Sequence, residues 1–436
     1  FSFSKLRGEG APISTVHGIA CGPISVMKLY GAVGDTLTQG SFRLGAHMGQ
    51  LRVDHPDIFE FIEAKKNGGL ENFNISVQVT DDFMRRVADN ETFDLINPKN
   101  NEIDKTVRAK DIWDLLCKSA WSTGDPGIVF MDRVLETQPN PQLGDIQTSN
   151  PCGEEFLENY GNCCLGSLNL AAYTSPYYLE GDESDPSWIG INFKLLRRDV
   201  VTAVRFLDDV IEVNTFPLDK QREVNLQTRR IGLGVMGWAD MLAALKIPYS
   251  SNEAIALAKK LGYFIKDAAK SASHELAKER GSYPLQDPDE MYIQRHSSVT
   301  TIAPTGTISR IAGCSSGIEP YYALAWESNV LWDLDGARVK LIDAPSAVVK
   351  ALEDSQANVQ YVLQDMMAHP ESASAILEEH TNKELSLSHL ETAHEIDFVA
   401  HIEMQGAWQE NTTNSVSKTI NMSNEATVEE VSKAFR

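Results

Sequence analysis

The chain has 436 residues, of which 42% are hydrophobic and 23% charged, a globular composition long enough for a large core and one or two domains. Its formal charge of −22 argues against DNA or RNA as the main partner, because phosphate backbones are met by clustered lysine and arginine. No apolar run approaches the ~20 residues that cross a bilayer and the first residues lack a signal pattern, so a cytoplasmic protein without a membrane partner is expected.

Along the chain, short apolar β-rich runs alternate with longer helical patterns. Cys21 lies in a turn-like segment rich in glycine and proline. Phe73–Val79 reads as a strand, Asp111–Cys117 as an amphipathic helix that buries Cys117, and Gly127–Met131 as a second strand. A helix follows Ser250, with Glu253 completing a capping box. Its apolar stripe runs through Leu257, Leu261, Ile265, Ala268, Ala272 and Leu276, and Gly281 stops it. Val299–Ala303 reads as a further strand, bounded by Pro304 and Gly306. This alternation predicts an α/β architecture with a mainly parallel sheet or barrel.

The six cysteines are too sparse for a secreted disulfide scaffold and form no C-x-x-C pair. The ten histidines include no H-E-x-x-H, and no Cys or His spacing suits zinc, so no protein-ligated catalytic metal is expected. The most informative stretch is Asn150-Pro151-Cys152-Gly153-Glu154, with Cys163 and Cys164 downstream. In an extended or looped segment Asn150, Cys152 and Glu154 can share one face, which would present a hydrogen-bonding amide, a thiol and a base. That set suits a polyhydroxylated substrate, with one hydroxyl oriented and another deprotonated while sulfur does the central step. A proline turn beside a buried thiol explains the same five residues equally well.

Two glycine-containing segments compete as phosphate sites. Gly232–Gly237 fits G-x-G-x-x-G, but Asn225–Arg230 before it is polar and basic where a dinucleotide fingerprint needs a buried strand. It therefore reads as a helix-packing run. Ala303–Ser309 follows an apolar strand, and its small hydroxyl residues and amides at a helix start make a good anion cradle, or simply a capped turn. Cys314 sits in another turn-like segment.

The chain resembles the catalytic subunit of ribonucleotide reductase, most closely its adenosylcobalamin-dependent (class II) branch. The matching motifs run nearly end to end: Gly40–Gly49 with Leu51–Ile58, Asn72–Val77, Ser149–Glu154, Leu165–Leu170, Arg229–Gly234, Ala303–Ser309, Gly313–Pro320 and Ser415–Met422. The resemblance implies that residues 1–436 form one catalytic domain, a ten-stranded α/β barrel of two antiparallel five-stranded halves around a central finger loop. Edge strands are expected to lie outside the chain at both ends.

By the same resemblance, Cys152 would become a thiyl radical and abstract the ribose 3′ hydrogen. Glu154 would take the 3′-hydroxyl proton, Asn150 would hold the substrate hydroxyls, and the 2′-hydroxyl would leave as water. Cys163 matches the second of two reducing cysteines, whose first member is expected upstream of Phe1; Cys164 stands where relatives carry a polar residue, and Cys21 is a weak substitute partner. Ala303, Pro304, Thr305, Gly306, Thr307, Ile308 and Ser309 would hold the substrate phosphates. Gln39, Gly40, Ser41, Phe42, Arg43, Leu44 and Gly45 resemble the loop that relays the identity of an allosteric nucleotide, with Arg43 suited to contact it.

The resemblance further implies a ribonucleoside di- or triphosphate substrate, a dNTP or ATP effector, a thioredoxin-like reductant and a homodimer among the oligomeric states. The radical source is read as adenosylcobalamin, with a separate dimetal small subunit as the alternative. Tyr321 and Tyr322 follow Glu319-Pro320, do not match the paired tyrosines of the dimetal branch, and read as core or pocket residues. The rivals from other classes are a Rossmann dehydrogenase, a glycyl-radical lyase and a non-catalytic nucleotide-binding relative.

Overall fold

A computed structural model describes residues 1–13, 17–37, 45–66, 68–174, 190–332, 338–381 and 387–436. They form two compact units, Phe1–Asn162 with Asn424–Arg436, and Cys163–Ser423. Among the described residues no helix is long and apolar enough to cross a membrane.

The first unit contains helix α1 (Gly22–Thr36), strand β1 (His47–Arg52), helix α2 (Ile58–Ile62), strand β2 (Phe73–Val79), helix α3 (Ala109–Thr123) and strand β3 (Gly127–Phe130). The three strands lie in the order β1-β2-β3, all parallel, with His47 beside Phe73 and Ser76 beside Gly127. Residues 1–3 run along the free side of β1, where the amide of Phe3 donates to Gln50 O at 2.9 Å and that of Gln50 to Phe1 O at 2.9 Å. One face of this sheet is aliphatic. Leu51, Ile75, Val77 and Val79 are buried there with Ile58 and Phe61 of α2 and Ile112, Trp113, Leu116 and Cys117 of α3. The expected strand at Phe73–Val79 and the burial of Cys117 on a helix both match.

The second unit contains strand β6 (Cys164–Asn169), helix α4 (Phe193–Val213), strand β7 (Ile231–Met236), helices α5 (Trp238–Leu245), α6 (Asn252–Arg280) and α7 (Ile308–Ala312), and helix α8 (Phe398–Gln409); the intervening strands β4 and β5 belong to the first unit and are given below. β6 and β7 pair in parallel from Cys164 beside Ile231 to Asn169 beside Met236. Parallel bridges then carry the sheet on, from Leu233 to Thr300 and from Ile302 to Val416. Every residue of β7 is buried, beneath the aliphatic stripes of α4 and α6, and Trp238 packs edge-on to Trp408 at 5.3 Å.

Two expectations need correction. The Gly232–Gly237 run does not pack a helix: Gly232 and Gly234 lie within β7, and a Cβ on Gly234 would stand 2.2 Å from the carbonyl oxygen of Thr301. The glycine is needed where two strands approach closely. The cap of α6 is Ser251, whose Oγ accepts from the Ala254 amide at 3.1 Å; this places Glu253 one residue too early for a capping box, and Ser250 bonds Glu391 instead. The stripe from Leu257 to Leu276 is buried as expected. The broader expectation of an α/β architecture holds, with a parallel sheet in each unit, and no closed barrel is formed among the described residues.

Candidate active site

In the first unit, strands β4 (Thr148–Ser149) and β5 (Phe156–Leu157) form a short antiparallel hairpin whose tip is the Asn150–Glu155 segment. Its closure follows from the sequence. The amide of Asn150 donates to Glu155 O at 3.0 Å, and that of Gly153 donates back to Asn150 O at 3.1 Å. Asn, Pro and Gly therefore occupy the first, second and fourth positions of a turn. Cys152 keeps a negative φ while Gly153 takes +78°, which makes the turn type I rather than type II. The Asn150 side chain caps the tip by accepting from the Glu155 amide at 3.0 Å.

The turn replaces the strand-like alternation considered for Asn150, Cys152 and Glu154, and it separates their environments. Cys152 is exposed, Asn150 is half-buried, and Glu154 is only 3% exposed. Burial raises the Glu154 carboxyl above the ordinary range, while a hydrogen bond with the Asn150 side chain pulls it back down. The tip thus offers an accessible sulfur, an oriented carboxamide and a carboxylate strengthened as a base.

In the second unit Cys163 immediately precedes β6, and Cys164 is that strand's first residue. Successive strand side chains point to opposite sides. Cys164 packs against the aliphatic core, where burial raises its thiol pKa, so Cys163 is directed away from that core. Neither residue is in a disulfide, nor is Cys21 or Cys314.

The Ala303–Ser309 loop leads from the strand-like 299–302 segment into α7. Thr305 has a φ of +58°, a left-handed conformation rare for a β-branched residue and costing about 1–3 kcal/mol. Its Oγ1 accepts from the Gly317 amide at 2.7 Å, and Ser309 Oγ lies 3.0 Å from Ser316 Oγ. Gly306 and Thr307 are exposed ahead of α7, while the Ser309 amide donates to Thr305 O at 2.9 Å and the Ile311 amide to Thr307 O at 3.2 Å.

The 313–321 segment that holds this loop is fixed at both ends. Asp240 of α5 ties the two ends together, accepting from the Ser315 amide at 2.6 Å and the Tyr321 hydroxyl at 2.7 Å. Between them, Glu319 accepts from the Thr419 amide at 2.8 Å and pairs with the buried Lys418, whose ammonium also reaches His401 Nδ1 at 2.9 Å. Burial lowers the Lys418 pKa against the pull of Glu319, and burial with the nearby Lys418 charge brings His401 down to about 4. These supporting residues were missed in the sequence. The available signals were a single acid in the apolar α5 and a lone lysine in Ser415–Met422.

Tyr321 is buried as expected, whereas Tyr322 is 67% exposed and is not a core residue. Of the Gln39–Gly45 segment, Gln39, Gly40, Ser41, Phe42, Arg43 and Leu44 lie outside the described residues. Gly45 is described, and its amide donates to Gly34 O in α1 at 3.4 Å.

The family model for the ribonucleotide reductase barrel domain matches residues 1–293 and 285–436. A vitamin B12-dependent ribonucleoside-diphosphate reductase of Thermoplasma acidophilum is 42% identical over 442 residues, covering 100% of this chain and 55% of that protein. A Mycobacterium tuberculosis protein of the same description is 37% identical, covering 99% of the chain and 60% of that protein. The ribonucleoside-diphosphate reductase subunit alpha of Chlamydia trachomatis is 28% identical over 78% of the chain. The chain thus spans between 55% and 60% of the length of the two B12-dependent relatives.

Proposed function

Because the chain belongs to the ribonucleotide reductase barrel-domain family, we propose that it carries the catalytic centre of a cobalamin-dependent ribonucleotide reductase that converts ribonucleoside diphosphates to 2′-deoxyribonucleotides. The observation that carries this reading is the hairpin tip, which presents an exposed Cys152 beside a buried, pKa-raised Glu154 oriented by Asn150.

An exposed thiol at a hairpin tip suits a bulky radical source. Adenosylcobalamin, when bound, supplies the radical equivalent that leaves a thiyl on Cys152. That sulfur takes the 3′ hydrogen of the ribose, Glu154 accepts the 3′-hydroxyl proton, and Asn150 holds the hydroxyls by its carboxamide. Loss of the 2′-hydroxyl as water requires two electrons and two protons. Cys163 supplies one of the two thiols that close to a disulfide, and Cys152 returns its hydrogen to C3′. The Ala303–Ser309 loop receives the diphosphate through backbone amides and hydroxyls. A dNTP or ATP effector at the Gln39–Gly45 segment, a thioredoxin-like reductant, a homodimer, action of the chain as one catalytic domain and a cytoplasmic setting complete the proposal.

The test is to mix the complete enzyme with adenosylcobalamin, a ribonucleoside diphosphate and a dithiol, following cob(II)alamin absorbance and deoxynucleotide formation. Both signals are expected, and Cys152→Ser should remove deoxynucleotide formation. Reduction that persists in Cys152→Ser refutes the thiyl mechanism. Turnover without cob(II)alamin, dependent on a metal-loaded partner subunit, refutes the cobalamin assignment.

A further inference from the structure

We infer that Asn74, Gln78 and Gln50 are positioning residues that seat the finger hairpin on the first unit's sheet and set the height of Cys152. The inference rests on the proposed role of Cys152. In the parallel register Gln50 lies beside Ser76 and Arg52 beside Gln78, so Gln50, Asn74, Ser76 and Gln78 share one face of the sheet. The opposite face carries Leu51, Ile75, Val77 and Val79 in the helix-covered core. A parallel sheet covered by helices on both sides reads as continuous apolar strands. Here every second residue of β2 is polar, because the hairpin covers that face.

The contacts climb the hairpin in steps of two residues. Gln78 Nε2 donates to Gln147 O at 2.6 Å, Gln50 Nε2 donates to Ser149 Oγ at 2.9 Å, and Asn74 Nδ2 donates to Pro151 O at 2.8 Å, next to Cys152. Gln78 Nε2 also donates to Gln50 Oε1 at 2.9 Å, and Ser149 Oγ donates to Asn150 O at 3.0 Å, which joins the sites into one network. Gln50 is 0% and Gln78 5% exposed, and a buried amide left without partners is costly. A slip of the hairpin by one residue would orphan both glutamines, so the sulfur is held at one discrete position rather than along a continuum. Radical transfer and hydrogen abstraction need that fixed height, since a misplacement of about 1 Å can cost ~10²-fold in rate.

The experiment uses the complete enzyme with Asn74→Asp, which keeps the side chain's shape but cannot donate to Pro151 O, and Gln78→Met, which empties the hairpin's base. For Asn74→Asp, kcat is expected to fall at least about tenfold, with the dissociation constant of the ribonucleoside diphosphate within about twofold of wild type. Amide exchange of Gly153 and Glu155 should speed up by about tenfold without cofactor or substrate, while that of β2 and β3 stays unchanged. Gln78→Met should extend the faster exchange down to residue 147. If it fails to fold, Asn74→Asp, at an exposed position, decides alone. Wild-type kcat and wild-type finger exchange in Asn74→Asp would overturn the inference. Faster finger exchange in a protein that makes no deoxynucleotide would support the seat and refute the catalytic reading instead.

Discussion

At the scale of single residues, Glu154 is drawn two ways: burial raises its carboxyl and the Asn150 carboxamide lowers it, with burial the larger effect. A carboxyl whose pKa rises on folding contributes stability below its unfolded value, and that contribution is lost as pH climbs through the folded value. Ionised Glu154 is therefore a cost to the fold at neutral pH, which its proposed role as proton acceptor would account for. In Glu154→Gln, turnover should fall by ~10²–10⁴-fold, while the neutral-pH Tm holds or rises. A lower Tm would show the carboxylate to be structural. In the parent enzyme the acid limb of kcat/KM should lie above the ~4.3 of an exposed glutamate and be absent from the residual activity of the variant. The adjacent thiols divide similarly. Cys163→Ser should stop multiple turnover, whereas Cys164→Ala, which trims a core contact, should lower stability by about 1 kcal/mol and leave the chemistry within severalfold; loss of turnover in both would unseat the assignment of Cys163. The residue types at the tip were legible because five consecutive residues carry both the turn and the chemistry. Their separate burials were not, since those depend on where the hairpin lies.

At the scale of elements, the strand at Phe73–Val79 and the long helix ending at Gly281 were readable because period and punctuation are local. The polar alternation Asn74, Ser76, Gln78 was equally visible, but its meaning needs the hairpin supplied by residues 147–157. The glycine run failed for a related reason: a glycine that accommodates another strand is indistinguishable in sequence from one that accommodates a helix. Gly234→Ala would drive a methyl to within 2.2 Å of Thr301 O, a backbone atom that cannot swing aside. It should cost at least about 3 kcal/mol, the upper part of the range for overpacking, measured by urea unfolding; a loss below ~1 kcal/mol would mean the strands part easily. The brace of the Ala303–Ser309 loop acts on the same scale. Asp240→Asn weakens the acceptor for the Ser315 amide and the Tyr321 hydroxyl. Substrate KM should rise several-fold through the loop while kcat changes less, and a pure kcat loss would place Asp240 elsewhere in the mechanism.

On the scale of the whole molecule, each unit needs something to tie chain segments distant in sequence, and in the second unit a buried carboxylate does so. Asp208 of α4, 0% exposed, accepts from Arg280 Nη1 at 2.7 Å, Arg295 Nε at 3.2 Å and His296 Nε2 at 3.1 Å, and pairs with Arg229. These partners come from the end of α6, the approach to the 299–302 strand and the residue pair before β7. No local pattern in the sequence announces such a hub, because its members lie between 21 and 88 residues from Asp208. Burial pushes the Asp208 carboxyl up, but hydrogen bonds from His296 and Arg229 and the arginine charges outweigh it and hold the group far below the carboxylate range. A depressed folded pKa contributes stability that is complete above the unfolded value, about 3.9, and disappears only as pH falls toward the folded one. Asp208→Asn leaves buried arginines short of their counter-charge, a change that costs about 3–5 kcal/mol where one partner of a buried pair is removed. The deficit in the second unit's unfolding free energy should therefore be the same at pH 8 and pH 5 and should shrink only below about pH 4. Amide exchange in β7 would follow the loss, with exchange in β2 as the control in the other unit. A deficit that already varies between pH 8 and pH 5 would mean that His296, whose pKa burial lowers from the ordinary histidine value, rather than Asp208, titrates in the hub.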